Sequence, residues 1–127
     1  MKKYNSVFII DDDIVFHFII KKLFIKSDLH VNTKYFFNGL EAIEVLKNSE
    51  LVPDLILLDI NMPIYDGWQF LEEFRNLKTS LNKNIDVFLI SSSNDISDIN
   101  KAAHYKDEVK RYCNKPLTIL ELQNIFK

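Results

Sequence analysis

Several short apolar runs in this sequence end in side chains able to do chemistry. Val7-Phe8-Ile9-Ile10 leads into Asp11-Asp12-Asp13, and Leu55-Ile56-Leu57-Leu58 into Asp59. Val87-Phe88-Leu89-Ile90 leads into Ser91-Ser92-Ser93, and the segment from Val109 to Cys113 is followed closely by Lys115-Pro116. Each has a plain explanation alone: an Asp before a helix caps it, a serine run fills a turn, and a lysine before proline sits in a solvated loop. Jointly they pose a chemical question. Asp11, Asp12 and Asp59 in one pocket would repel by roughly 1–4 kcal/mol per pair at about 4 Å, for effective dielectric constants between about 80 and 20. A hard divalent cation relieves that repulsion. Magnesium takes one or two carboxylates, keeps some water and completes its shell with phosphate oxygen. A lysine ammonium and a serine hydroxyl opposite the metal would grip the remaining phosphoryl oxygens. Such a site suits phosphoryl transfer, where positioning and charge neutralisation do most of the catalysis.

The elements that must position these groups alternate in type. The four-residue runs at Val7–Ile10, Leu55–Leu58 and Val87–Ile90 read as strands, joined by strand candidates at Val31–Phe37 and Val109–Cys113. Helical patterns fill Asp13–Lys26, Leu40–Asn48, Trp68–Leu77, Ile96–Tyr105 and Leu117–Phe126. Phe70, Leu71, Phe74 and Leu77 share one stripe of the third helix. Strands alternating with helices make an α/β, doubly wound parallel sheet between helical layers. Strands without polar alternation fit burial on both faces. In such sheets ligands bind outside the carboxyl ends of the strands, where the acidic, serine and lysine groups fall.

The 127 residues fit one domain spanning 1–127, and 47% hydrophobic with 27% charged residues is ordinary for a globular core. A formal net charge of −2 offers no case for nucleic acid. No apolar run approaches the roughly 18 residues of a membrane span, and the start is too short in apolar residues for a signal peptide. The lone Cys113 fits a small buried residue in a reducing cytoplasm.

The segment PDLILLDINMPIYDGWQFL, with Asp59, Asn61-Met62-Pro63 and Asp66-Gly67, resembles the phosphoacceptor region of response-regulator receiver domains. VFIIDDD, VFLISSS and YCNKP resemble that family's other signatures, in the same order and at nearly the same spacing. The resemblance implies the flavodoxin-like receiver fold: five parallel strands in the order 2-1-3-4-5 flanked by five helices. It makes Asp59 the phosphoacceptor. Asp12 would bind Mg²⁺ (or Mn²⁺) directly, Asp11 through a water, and the backbone carbonyl of Asn61 would complete the protein ligands. Ser91 and Lys115 would contact phosphoryl oxygens, and Tyr112 would be the switch aromatic that turns inward. The donor would be a sensor histidine kinase or a histidine phosphotransfer protein. The signal would leave through the face of helix 4, strand 5 and helix 5 to a protein target, with no enzymatic activity beyond its own phosphorylation and dephosphorylation. No effector domain follows Phe126, so output is expected by direct contact, unless the chain is part of a longer regulator.

The chain departs from that family between Ser91 and Lys115. It reads AAHYKDEVKRY where a small Ala-Gly-Ala-like turn is usual, so the fourth helix and its following loop carry no expectation of standard placement. Ser92 stands where alanine is common. His17, His30 and His104 follow no metal spacing and are read as structural, on surfaces or helix faces. In the first helix Phe16, Ile19, Ile20 and Leu23 follow the i, i+3, i+4, i+7 rule and are expected in the core. That leaves Ile14, Val15 and Phe18 as an exposed apolar patch on which a phosphodonor helix could dock. A Mg²⁺-dependent phosphohydrolase is the rival reading, but Asn61 stands where such enzymes carry a second acid.

Overall fold

The unbroken apolar runs form central strands because helices cover both faces of the sheet. The computed structural model describes residues 3–48, 52–92 and 96–127, apart from the side chain of Ile96. Its strands are β1 (Ser6–Ile10), β2 (Asn32–Phe36), β3 (Leu55–Asp59), β4 (Asp86–Ser91) and β5 (Val109–Asn114). They pair in parallel in the order β2-β1-β3-β4-β5. Helices α1 (Ile14–Lys26), α2 (Gly39–Asn48), α3 (Gly67–Leu77) and α4 (Ile96–His104) make the crossovers, and α5 (Ile119–Phe126) closes the order. Alternate residues serve opposite layers, as the two-residue period of a strand requires. Val7, Ile9, Leu55, Leu57, Phe88 and Ile90 pack with the buried residues of α1 and α5. Phe8, Ile10, Ile56, Leu58, Val87 and Leu89 pack with those of α2 and α3.

Helix starts follow capping chemistry more closely than apolar periodicity. Asp13 lies outside α1, and its side chain accepts from the Val15 N–H. Asp66 and Gln69 form a capping box that opens α3 at Gly67, and Thr118 with Glu121 does the same for α5. The last helix therefore starts at Ile119, two residues after the expected Leu117, because the Thr118 hydroxyl takes the N-cap.

In α1 the structure corrects the expected core face. Phe16, Ile20 and Phe24 are buried together with His17, whereas Ile19 is 44% exposed and Leu23 only half-buried. The sequence IVFHFIIKKLFIK has apolar residues all round its axis, so periodicity could not fix its rotation. His17 is accordingly no surface histidine: it is buried, with its ring against Tyr35 and Phe37.

The region that departs from the family forms a turn anchored to α3. The Glu108 side chain is only 2% exposed and accepts from Arg75 at 3.0 Å and from Lys78. Arg75 also donates to the His104 carbonyl and stacks its guanidinium on Tyr105, whose hydroxyl donates to Glu72. Pairing of β4 with β5 shifts register between Val87 and Phe88, so Lys110 is the extra residue of a bulge between the paired Val109 and Arg111. Among the described residues no helix is long and apolar enough to cross a membrane.

Candidate functional site

The carboxyl edge of the sheet gathers the residues singled out by sequence. Asp59 ends β3 and is 5% exposed. Asp11 follows β1, buried, its backbone N–H donating to the Phe36 carbonyl. Asp12 comes next and is exposed. One carboxylate oxygen from each of Asp11, Asp12 and Asp59 lies within 4.8 Å of the others. Lys115 Nζ reaches into this group, 2.6 Å from Asp11 Oδ2 and 3.6 Å from Asp59 Oδ1.

Backbone constraints hold these side chains. The Asp13 N–H donates to Asp11 Oδ1 at 2.8 Å, turning that carboxylate inward. The Lys115 N–H donates to the Ser91 carbonyl at 2.8 Å, which couples the lysine to the end of β4. The Lys115–Pro116 peptide is cis. Ser91 is fully buried opposite Asn114, while Ser92 is exposed. Ser93, the third of that run, lies outside the described residues. Asn61 is exposed on the loop after Asp59. Tyr112 lies opposite Leu89, half-buried against the α2–α3 layer. Ile14, Val15 and Phe18 are all exposed on α1.

Two contacts at the site escaped sequence reasoning. His17 Nε2 lies 2.6 Å from the Asp11 backbone carbonyl, so the histidine, read as structural, props the first acidic residue from behind. Phe16 presents its ring 4.5 Å from Lys115 Nζ, a cation–π contact beneath the lysine. Both lie within two turns of Asp11, and that proximity was the only available signal. Gly67, next to Asp66 in the segment that carries Asp59, sits where packing leaves no room for a side chain. A Cβ there would come within 2.7 Å of the Asp59 carbonyl oxygen and 2.8 Å of Ile60 Cα, so α3 can start against the end of β3 only with glycine.

The electrostatics follow from this crowding. Burial, then the charge of Asp11 and more weakly that of Asp12, push the Asp59 carboxyl up to about 7, against the pull of Lys115 and the Asn61 backbone. Burial works to lower the Lys115 ammonium, but its hydrogen bond to Asp11 and the charges of Asp11 and Asp59 win and raise it. Three carboxylates against one ammonium leave an excess of negative charge. The donors are all oxygens, which suits a hard divalent cation and excludes a preference for soft metals.

Comparison with known proteins agrees with this geometry. The family model described as the response regulator receiver domain matches residues 7–127. The sensor histidine kinase CheAY of Helicobacter pylori is 31% identical over 121 residues, covering 95% of this chain but only 14% of that protein. A solved two-component response regulator from Cytophaga hutchinsonii superposes with a TM-score of 0.80 at 32% identity, covering 97% of this chain and 94% of its own. One from Legionella pneumophila gives 0.83 at 25% identity, covering 94% and 93%. The chain spans well under half the length of the first curated relatives it matches. On the match along nearly its whole length and the superposition of its sheet on solved receivers, the chain belongs to the response regulator receiver domain family.

Proposed function

We propose that this chain is a phosphorylation-activated switch of a two-component system, with Asp59 taking its phosphoryl group from a phosphohistidine on a partner protein. The observation that carries this reading is the convergence of three carboxylates within 4.8 Å of one another beside the ammonium of Lys115. Asp11, Asp12, Asp59 and the Asn61 backbone carbonyl would hold Mg²⁺ or Mn²⁺, which when bound supplies positive charge next to the transferring group. An oxygen of the ionised Asp59 carboxylate forms the new O–P bond while the P–N bond of the phosphohistidine breaks. The electron pair of that bond stays on the imidazole nitrogen. Lys115 swings from Asp11 towards one phosphoryl oxygen, and the Ser91 hydroxyl donates to another. Turnover is limited to the chain's own phosphorylation and dephosphorylation.

The acyl phosphate adds about −1.5 to −2 charge. New contacts to Ser91 and Lys115 then favour an arrangement in which Tyr112 turns inward and the face of α4, β5 and α5 meets a protein target in the cytoplasm. Moving such an equilibrium from 1:99 to 99:1 takes about 5.5 kcal/mol. A few charge-assisted hydrogen bonds of about 1.5–3 kcal/mol each are sufficient. The donor, a sensor histidine kinase or histidine phosphotransfer protein, would dock on Ile14, Val15 and Phe18. Their exposure supports this, as does an adjoining cleft of about 150 Å³ lined by Val15, Ile19, Pro116 and Leu117.

Incubation with phosphoramidate and Mg²⁺, followed by intact-mass measurement, tests the chemistry. One phosphoryl group should appear on the wild type, be lost in alkali, and be absent from Asp59→Asn and from samples in chelator. Labelling of Asp59→Asn at the wild-type rate would overturn the reading.

A further inference from the structure

His17 is a buried polar residue to which the proposed chemistry gives no task. It lies near the start of α1, 3% exposed, with Nε2 2.6 Å from the Asp11 backbone carbonyl. A carbonyl only accepts, so Nε2 carries the proton of this hydrogen bond. The other ring nitrogen, Nδ1, is buried with no hydrogen-bond partner among the described residues. Burying such an orphan works against folding, and a phenylalanine here would avoid it. The ring otherwise packs as an aromatic, with centroids 4.5 Å from Phe37 and 5.4 Å from Tyr35. Packing alone therefore favours Phe, and what the imidazole adds is its Nε2 donor.

That donor holds the peptide between two acidic residues. The Asp11 carbonyl and the Asp12 N–H belong to one planar unit, so fixing it limits where both side chains project. Asp12 is exposed, and its aim comes from the backbone that carries it more than from packing. Two further bonds act on the same segment. The Asp11 N–H donates to the Phe36 carbonyl at 3.0 Å, and the Asp13 N–H donates to Asp11 Oδ1 at 2.8 Å. Of the three, only the bond from His17 uses a side-chain donor.

We infer that His17 is a positioning residue of the cation site. By donating from Nε2 to the Asp11 carbonyl, it holds the Asp11–Asp12 peptide so that the carboxylates of Asp11, Asp12 and Asp59 converge. The inference rests on the proposed reading of that cluster as a Mg²⁺ site. Its three carboxylates lie within 4.8 Å of one another and repel. With the peptide released, the exposed Asp12 arm relaxes away from the other two, and the cluster loses affinity for a cation. His17 acts through this peptide, not on the phosphoryl group.

The test is Mg²⁺ titration calorimetry on the full chain, comparing wild type with His17→Phe, His17→Gln and His17→Asn. Phenylalanine keeps a ring against Phe37 and Tyr35 but has no donor. Glutamine has no ring, yet carries an amide N–H about as far from the backbone as Nε2. The asparagine amide is one carbon shorter. His17→Phe leaves the Asp11 carbonyl unpaired and should melt a few degrees lower. It should bind Mg²⁺ at least tenfold more weakly, the scale set by residues that orient metal ligands. Half-saturating Mg²⁺ for phosphoramidate labelling should rise by the same factor, and by more than the rate at saturating Mg²⁺ falls. His17→Gln should recover Mg²⁺ affinity to within about threefold of wild type, and His17→Asn should not. Affinity within twofold of wild type in His17→Phe would overturn the inference. So would equal losses in His17→Phe and His17→Gln, since restoring the donor would then restore nothing. The nitrogen chemical shifts of the wild-type imidazole give a check that needs no variant to fold. They should show a proton on Nε2 and none on Nδ1, and the reverse would overturn the inference. A folded wild type that binds no Mg²⁺ would instead overturn the reading of the carboxylate cluster itself.

Discussion

Lys115 Nζ donates a hydrogen bond to Asp11 at 2.6 Å and makes only a longer ion pair with Asp59, at 3.6 Å. On the proposed reading, the lysine holds an Asp11 oxygen for which a bound divalent cation would compete. Lys115→Met should tighten Mg²⁺ binding, because the pocket loses its own cation, and should slow phosphorylation by phosphoramidate about 100-fold, the usual scale for removing a group that stabilises transferring charge. Titration calorimetry and labelling rates measure the two effects separately. Weaker Mg²⁺ binding in the variant would show that Lys115 organises the carboxylates instead of competing for them.

Asp59 gives the metal-free protein an unusual pH dependence. Its carboxyl is pushed up to about 7 in the fold, by burial before the charge of Asp11, and titrates near its ordinary value of about 4 when unfolded. The folded state therefore holds this proton more tightly. The resulting stability is complete below about pH 4 and is lost as pH rises through about 7. Glu108 contributes in the opposite sense: burial opposes its ionisation, but Lys78 and Arg75 hold it below its ordinary value, and its contribution is lost only in acid. In chelator, the thermal midpoint should fall by several degrees between about pH 5 and about pH 7.5. Asp59→Asn should flatten that slope, and excess Mg²⁺ should remove it. The same slope in Asp59→Asn would assign the effect to another group.

The two glycines make a matched test of local geometry. A Cβ at Gly39 would meet Tyr65 ring atoms at 2.8 Å, which a side-chain rotation can relieve. A Cβ at Gly67 would meet the backbone of Asp59 and Ile60 at nearly the same distance, and that backbone is fixed in the central strand region. Gly67→Ala should therefore cost about 1–3 kcal/mol, as overpacking does, and should slow phosphorylation by shifting Asp59. Gly39→Ala should cost less and leave the labelling rate unchanged. Urea melts and phosphoramidate labelling of both variants make the comparison.

The sheet and its reactive edge were legible because both rest on unbroken apolar runs, whose ends mark one side of a parallel sheet. Asp11, Asp59 and Lys115 are far apart in sequence and could be placed together only through that logic. The rotation of α1 was not legible, since IVFHFIIKKLFIK offers apolar residues on every face. His17 and Phe24 took core positions assigned to Ile19 and Leu23. The positive φ of Ile64, 69°, left no trace in composition either, and isoleucine is the last residue from which one would guess it.

The turn between α4 and β5 carries the final prediction. Glu108 binds Arg75 and Lys78 from α3 and the turn beyond it, where the sequence offered no family pattern to follow. Hydrogen bonds to charged groups contribute about 1.5–3 kcal/mol each. Removing Glu108 leaves two cations whose side chains are about a third exposed and can turn to water. The loss should therefore stay below the 3–5 kcal/mol typical of breaking a fully buried pair. Glu108→Ala should cost about 2–3 kcal/mol in urea unfolding and raise hydrogen exchange at the Tyr105–Val109 amides. Phosphoramidate labelling of Asp59 should stay within twofold, because no Glu108 partner belongs to the carboxylate site. A stability change under about 0.5 kcal/mol would mean that the α4 region is held by its stacking on Trp68 and Arg75 alone.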